Sequence, residues 1–79
     1  MVELAAMDMR QLVGRNLKRL RAAKGLTQEE LAVKCGFSQQ FLSGIERGKR
    51  NPTIVTLYEI AQALEVSHMD LVRPDDSAD

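Results

Sequence analysis

The chain has 79 residues, 28% charged and 44% hydrophobic, with one cysteine and a formal net charge of zero. That length suits one small domain with a single core. The lone Cys35 excludes an intrachain disulfide, and no run approaches the ~20 apolar residues of a membrane span; with no signal peptide to read, a reducing, cytoplasmic setting is expected.

The zero balance hides a segregation. Ten of the eleven basic residues lie between positions 10 and 50, against only Glu29, Glu30 and Glu46, so that stretch is +7 and the remainder −7. Such asymmetry suggests a polyanion partner for the basic part. The balanced total argues against strong non-specific attraction.

Residues 1–8 carry weak signals and read as an N-terminal extension. Asp8 with Gln11 resembles a capping box, which starts a helix near Met9; it runs to about Lys24 and stops at Gly25. Val13, Leu17 and Leu20 form its buried stripe. Arg21 extends the same stripe, and a charge on an apolar face needs a partner. Thr27 and Glu30 form a second capping box, opening a helix over Gln28 to Cys35 with Leu31, Ala32 and Cys35 facing inward. Cys35 is therefore read as a small core residue.

Gly36 ends that helix and Ser38 caps the next. At 100° per residue, Phe41, Leu42 and Ile45 share one side of it, while Gln39, Gln40, Ser43, Gly44 and Arg47 share the other. A plain solvated face would be rich in Glu and Lys. Gln instead suits the edge of adenine, and Ser either kind of base. Arg47, Lys49 and Arg50 surround Gly48 in the following loop and read as a phosphate clamp. Thr53 caps a helix from Ile54 to about Glu65, with Ile54, Leu57, Ile60, Ala61 and Leu64 on one face. Ser67 with Asp70 suggests a last capping box before a short helix, His68 to Val72. His68 reads as an exposed structural residue, and the acidic segment 74–79 as a disordered tail.

The whole pattern resembles the helix-turn-helix domains of phage repressors, Cro proteins and the XRE-like bacterial regulators. The residues that carry it are Val13-Gly14, Leu17, Leu20-Arg21, Gly25 to Gln28, Leu31-Ala32, Ile45 to Lys49, Pro52, and Leu57 to Leu64. The resemblance implies an all-α, compact five-helix domain over residues 9–73, lambda-repressor-like, with helices two and three as the helix-turn-helix. It implies an Arg21–Glu46 pair, and a phosphate contact for Gln28 that joins Arg47, Lys49 and Arg50. The third helix would enter the major groove, with Gln39, Gln40 and Ser43 on base edges.

The expected function is sequence-specific transcriptional regulation, as a homodimer on a pseudo-palindromic double-stranded DNA operator. Met69, Leu71 and Val72 are candidates for the dimer surface, and some of them must also close the core. The alternative is a protein-interaction module, because Gly44 departs from the family's long polar side chain and leaves a flat surface open to a partner backbone or to closer DNA. Catalysis is not expected: one His and one Cys assemble no nucleophile, base and oxyanion donors. Nor do they make a metal set, and no cofactor or small-molecule ligand is expected.

Overall fold

The computed structural model describes residues 8–74. Residues 1–7 and 75–79, and with them nearly all of the expected extension and tail, lie outside that range. Among the described residues there are five helices and no strand: α1 (Met9–Ala23), α2 (Gln28–Cys35), α3 (Gln39–Glu46), α4 (Ile54–Leu64) and α5 (Met69–Val72).

The helix starts follow from their caps. Thr27 Oγ1 accepts from the Glu30 N–H at 3.0 Å while Glu30 Oε1 accepts from the Thr27 N–H at 2.9 Å, a complete capping box. Ser38 caps α3 and Thr53 caps α4 through their hydroxyls. Two expected boxes do not form. Asp8 caps α1, but through the Arg10 N–H and guanidinium rather than through Gln11. The Arg10 guanidinium holds the Asp8 carboxyl below its ordinary pKa. Near α5, Ser67 Oγ accepts from the Met69 N–H, whereas the Asp70 carboxylate turns away to Arg73 at 2.8 Å. The cationic partner three residues on outcompetes a backbone N–H.

The core joins all five helices: Val13 and Leu17 of α1, Leu31 and Ala32 of α2, Leu42 and Ile45 of α3, Ile60, Ala61 and Leu64 of α4, and Leu71 of α5. Cys35 packs against its edge, where burial pushes the thiol pKa up. One expected core residue is absent. Ile54, the first residue of α4, is 81% exposed, whereas Leu57 in the same turn packs against the core. Of the three dimer candidates, Leu71 is the one that closes the core, fully buried, while Met69 and Val72 are exposed.

Among the described residues one polar side chain, Asn16, is fully buried. Asn16 donates through Nδ2 to the carbonyls of Leu71 and Arg73, each at 2.9 Å, and its Oδ1 accepts from Arg19. It thereby pins the C-terminal helix to α1. With its groups satisfied it costs little desolvation. The α1–α3 crossing is equally specific. A Cβ on Gly14 would stand 2.7 Å from the Glu46 carbonyl oxygen, so only glycine lets α1 lie against the last turn of α3.

Candidate nucleic-acid interface

The surface formed by α3, the start of α2 and the loop after α3 is an open groove of about 570 Å³. Its lining is Gln28, Gln39, Gln40, Ser43, Gly44, Arg47, Lys49 and Arg50. These include all seven side chains singled out for DNA contact. Three of the eight are cationic and none is a carboxylate. An amide-and-hydroxyl floor with a cationic rim suits a polyanion that also presents donor and acceptor edges.

The floor comes from α3. Phe41, Leu42 and Ile45 turn inward, with Leu42 and Ile45 fully buried, while Gln39 and Gln40 are exposed in the first turn. Because the inward face is locked in the core, the outward face has a fixed orientation.

Behind the groove lies an ion pair. Arg21 Nε donates to Glu46 Oε2 at 2.6 Å and Nη2 to Oε1 at 3.1 Å, a bidentate contact. Its remaining nitrogen, Nη1, donates to the Leu26 carbonyl at 2.7 Å. The side chains are 14% and 4% exposed. The hydrogen bond to Glu46 raises the Arg21 pKa further above its ordinary value. The pair links α1, the α1–α2 turn and the C-terminal end of α3, and so holds α3 at a set angle.

Gln28 belongs partly to this network. Its Nε2 donates to Glu46 Oε1 at 2.9 Å. One amide N–H is thus committed within the protein, leaving the second and the side-chain carbonyl for an outside partner. Sequence reasoning placed Gln28 in the groove without this inward bond. The signal was present in principle, because a glutamine next to a doubly engaged carboxylate fills its remaining acceptor site.

The loop after α3 holds the second departure. Gly44 is not an open patch. A Cβ there would meet Arg50 Cγ at 2.6 Å, so the Arg50 stem lies across it. The Arg50 guanidinium stands 5.8 Å from the centroid of the Phe41 ring. Arg47 stays nearer its own helix, with a long 3.4 Å bond from Nε to the Ser43 carbonyl. Among the described residues no group of His, Cys, Asp or Glu is placed to hold a metal ion, and no helix is long and apolar enough to cross a membrane.

Comparison with known proteins agrees with this geometry. The helix-turn-helix family model HTH_3 matches residues 17–71. An uncharacterized HTH-type transcriptional regulator of Sinorhizobium fredii, y4dJ, is 67% identical over 70 residues, covering 89% of this chain and 91% of its own. The crystal structure of a hypothetical transcription factor from Neisseria superposes with a TM-score of 0.84 at 32% identity, covering 90% of this chain and 82% of that one. The restriction–modification controller protein C.Esp1396I, solved as a tetramer in complex with its natural 35 base-pair operator, superposes with a TM-score of 0.75 at 40% identity, covering 82% and 86% of the two chains.

Proposed function

Since the chain belongs to the HTH_3 helix-turn-helix family of transcriptional regulators, we propose that it is a cytoplasmic regulator that binds a pseudo-palindromic DNA operator as a homodimer, with α3 in the major groove. The observation that carries this reading is the groove: Gln39, Gln40 and Ser43 on its floor, cations at its rim and no carboxylate in its lining.

The division of labour follows from chemistry. Gln39 and Gln40 occupy the first turn of α3, the part of a recognition helix that reaches base edges in this motif. Ser43 adds a short donor and acceptor one turn on. Arg47 and Lys49 neutralise phosphates, which supplies affinity without sequence information. Gln28 reaches a phosphate with its free amide N–H, and its bond to Glu46 fixes the direction of that reach. The protein-interaction alternative loses its main support, because the surface at Gly44 is covered by the Arg50 stem.

Two copies are proposed because one domain reads only a few base pairs. A second surface, on α4 and α5, is suited to self-association. Ile54, Val55 and Tyr58 of α4 and Met69 and Val72 of α5 are exposed, and the Tyr58 ring packs edge-on to His68 at 6.0 Å, joining the two helices. Recognition helices in such a dimer would sit one DNA turn apart, about 34 Å.

Selection of bound fragments from randomised duplexes, followed by sedimentation of the complex, tests the proposal. The expected result is an enriched two-fold motif bound by two copies. Recovery of no common sequence, or a strictly monomeric complex on the preferred site, would overturn it.

A further inference from the structure

The loop after α3 does not run straight into solvent. Gly48, with φ of 74°, reverses the chain. Its N–H donates to the Ile45 carbonyl at 3.0 Å, and the Lys49 N–H donates to the Gly44 carbonyl at 2.8 Å. This is the double closure of a Schellman end. It brings the next residue, Arg50, back over the helix that has just ended.

Arg50 then lies in a seat. A Cβ on Gly44 would stand 2.6 Å from Arg50 Cγ, 3.1 Å from Nε and 3.4 Å from Cδ, so the aliphatic stem rests on bare backbone. The guanidinium reaches the Phe41 ring, 5.8 Å from its centroid. That ring is itself braced by Phe37, with centroids 5.3 Å apart. The seat gives a reason for a glycine in the middle of an eight-residue helix, where it is otherwise among the poorest choices.

Gly44 follows Gln40 by one helical turn and lies between Gln40 and Phe41 around the helix. The Arg50 head therefore stands beside the proposed base-reading row, in the same groove. Lys49 already supplies charge to this loop. A phosphate contact asks only for a mobile cation, whereas a seated, planar guanidinium offers a fork of fixed direction.

We infer that Arg50, positioned by Gly44 and Phe41, is a specificity-determining residue that reads a guanine edge in the major groove. The inference rests on the DNA-binding function proposed above. Guanine presents O6 and N7 as two acceptors that the Arg fork matches. The consequence is a recognition surface wider than α3, with one base position assigned to a residue outside the helix-turn-helix itself.

The test repeats the selection from randomised duplexes with the full chain and with Arg50→Lys and Gly44→Ala. Wild type is expected to enrich a G·C pair flanking the bases specified by Gln40. Arg50→Lys keeps the charge but not the fork. It should lose about ten-fold or more in preference at that one position, with the other positions and the salt dependence unchanged. Gly44→Ala should do the same by displacing the stem. Arg50→Lys changes only an exposed side chain, so its result stands even if Gly44→Ala alters packing. If Arg50→Lys selects the same bases as wild type at every position, Arg50 is a phosphate contact and the inference is wrong. If wild type itself enriches no sequence, the regulator reading fails first and this one with it.

Discussion

The two ends of the molecule are finished in different ways. At the α2–α3 end every element is tied to another. Arg21 bridges Glu46 and the Leu26 carbonyl, Gln28 adds a third bond to Glu46, and Gly14 admits α3 at close range. Here α2 exposes Val33, but the side chains that line the groove are polar. At the α4–α5 end the core is closed by Ile60, Leu64 and Leu71, but Ile54, Val55, Tyr58, Met69 and Val72 remain outside it. One end holds its surface still through buried bonds, and the other leaves an apolar face uncovered in one chain. The polar groove needs rigidity to present side chains at fixed spacing, and buried bonds supply it. The apolar face is the surface proposed above for a second copy.

The strongest way to break the rigid end is to strand one member of its ion pair. Arg21→Met leaves Glu46 nearly buried with only Gln28 as partner. The expected loss is about 3 kcal/mol, since breaking a buried pair costs roughly 3–5 kcal/mol and this one keeps some exposure. In a domain of this size that lowers Tm by well over 10 °C. Thermal melts of Arg21→Met, Glu46→Leu and the double variant form the cycle that isolates the pair. Additive, negligible losses would show that the two residues do not couple. A parallel probe of the other end is Leu71→Ala, expected to cost roughly 2–4 kcal/mol as a core truncation, whereas Met69→Ala two residues earlier should leave the protomer's melt nearly unchanged.

The apolar face can be tested without touching the core. Ile54→Asp or Val55→Asp places a charge on a surface that is already solvated in one protomer. Each should leave secondary structure intact and weaken self-association by about thirty-fold or more, if the residue lies near the centre of the interface. Sedimentation across a concentration series reads this directly. Unchanged association in both variants would place the dimer surface elsewhere.

Much of this architecture was legible in the sequence because it is local. Thr27, Ser38 and Thr53 cap the helices that follow them, and Gly25, Gly36 and Gly48 mark helix ends. The failures share a cause, which is competition from residues that periodicity does not see. Ser67 and Asp70 have the spacing of a capping box, but Arg73 takes the carboxylate. Ile54 fits the apolar stripe of α4, yet it is exposed while Leu57, three residues on, takes the place against the core. Asn16 lies in register with Leu12 and Leu20 on α1, and its polarity concealed a buried role that depends on carbonyls 55 and 57 residues away. Gly44 looked vacant because its occupant, Arg50, returns through a turn. The α4 end shows the same limit. Glu65 takes the left-handed conformation, φ 60°, that the ends of α1, α2 and α3 give to glycine. Nothing about a glutamate signals that role.

That last position gives a smaller prediction. Glu65→Gly should stabilise the domain by roughly 0.5–1 kcal/mol, because glycine avoids a left-handed penalty of about 1–2 kcal/mol and gives back about 0.5–1 kcal/mol in backbone freedom lost on folding. The melt should rise by a few degrees with DNA affinity unchanged. A lower Tm would mean that the Glu65 side chain makes a favourable contact larger than the backbone strain.

The central claim is that the groove separates reading from clamping, and affinity measured against salt tests it most directly. The quantities are the affinities of wild type, Gln39→Ala, Gln40→Ala and Lys49→Ala for the selected duplex and a scrambled one at several salt concentrations. The Gln variants are expected to lose discrimination worth about 1–3 kcal/mol while keeping the salt slope. Lys49→Ala should weaken binding to both duplexes alike and reduce the slope by about one phosphate's worth. If both Gln variants retain full discrimination, α3 is not the reading element and the account is contradicted.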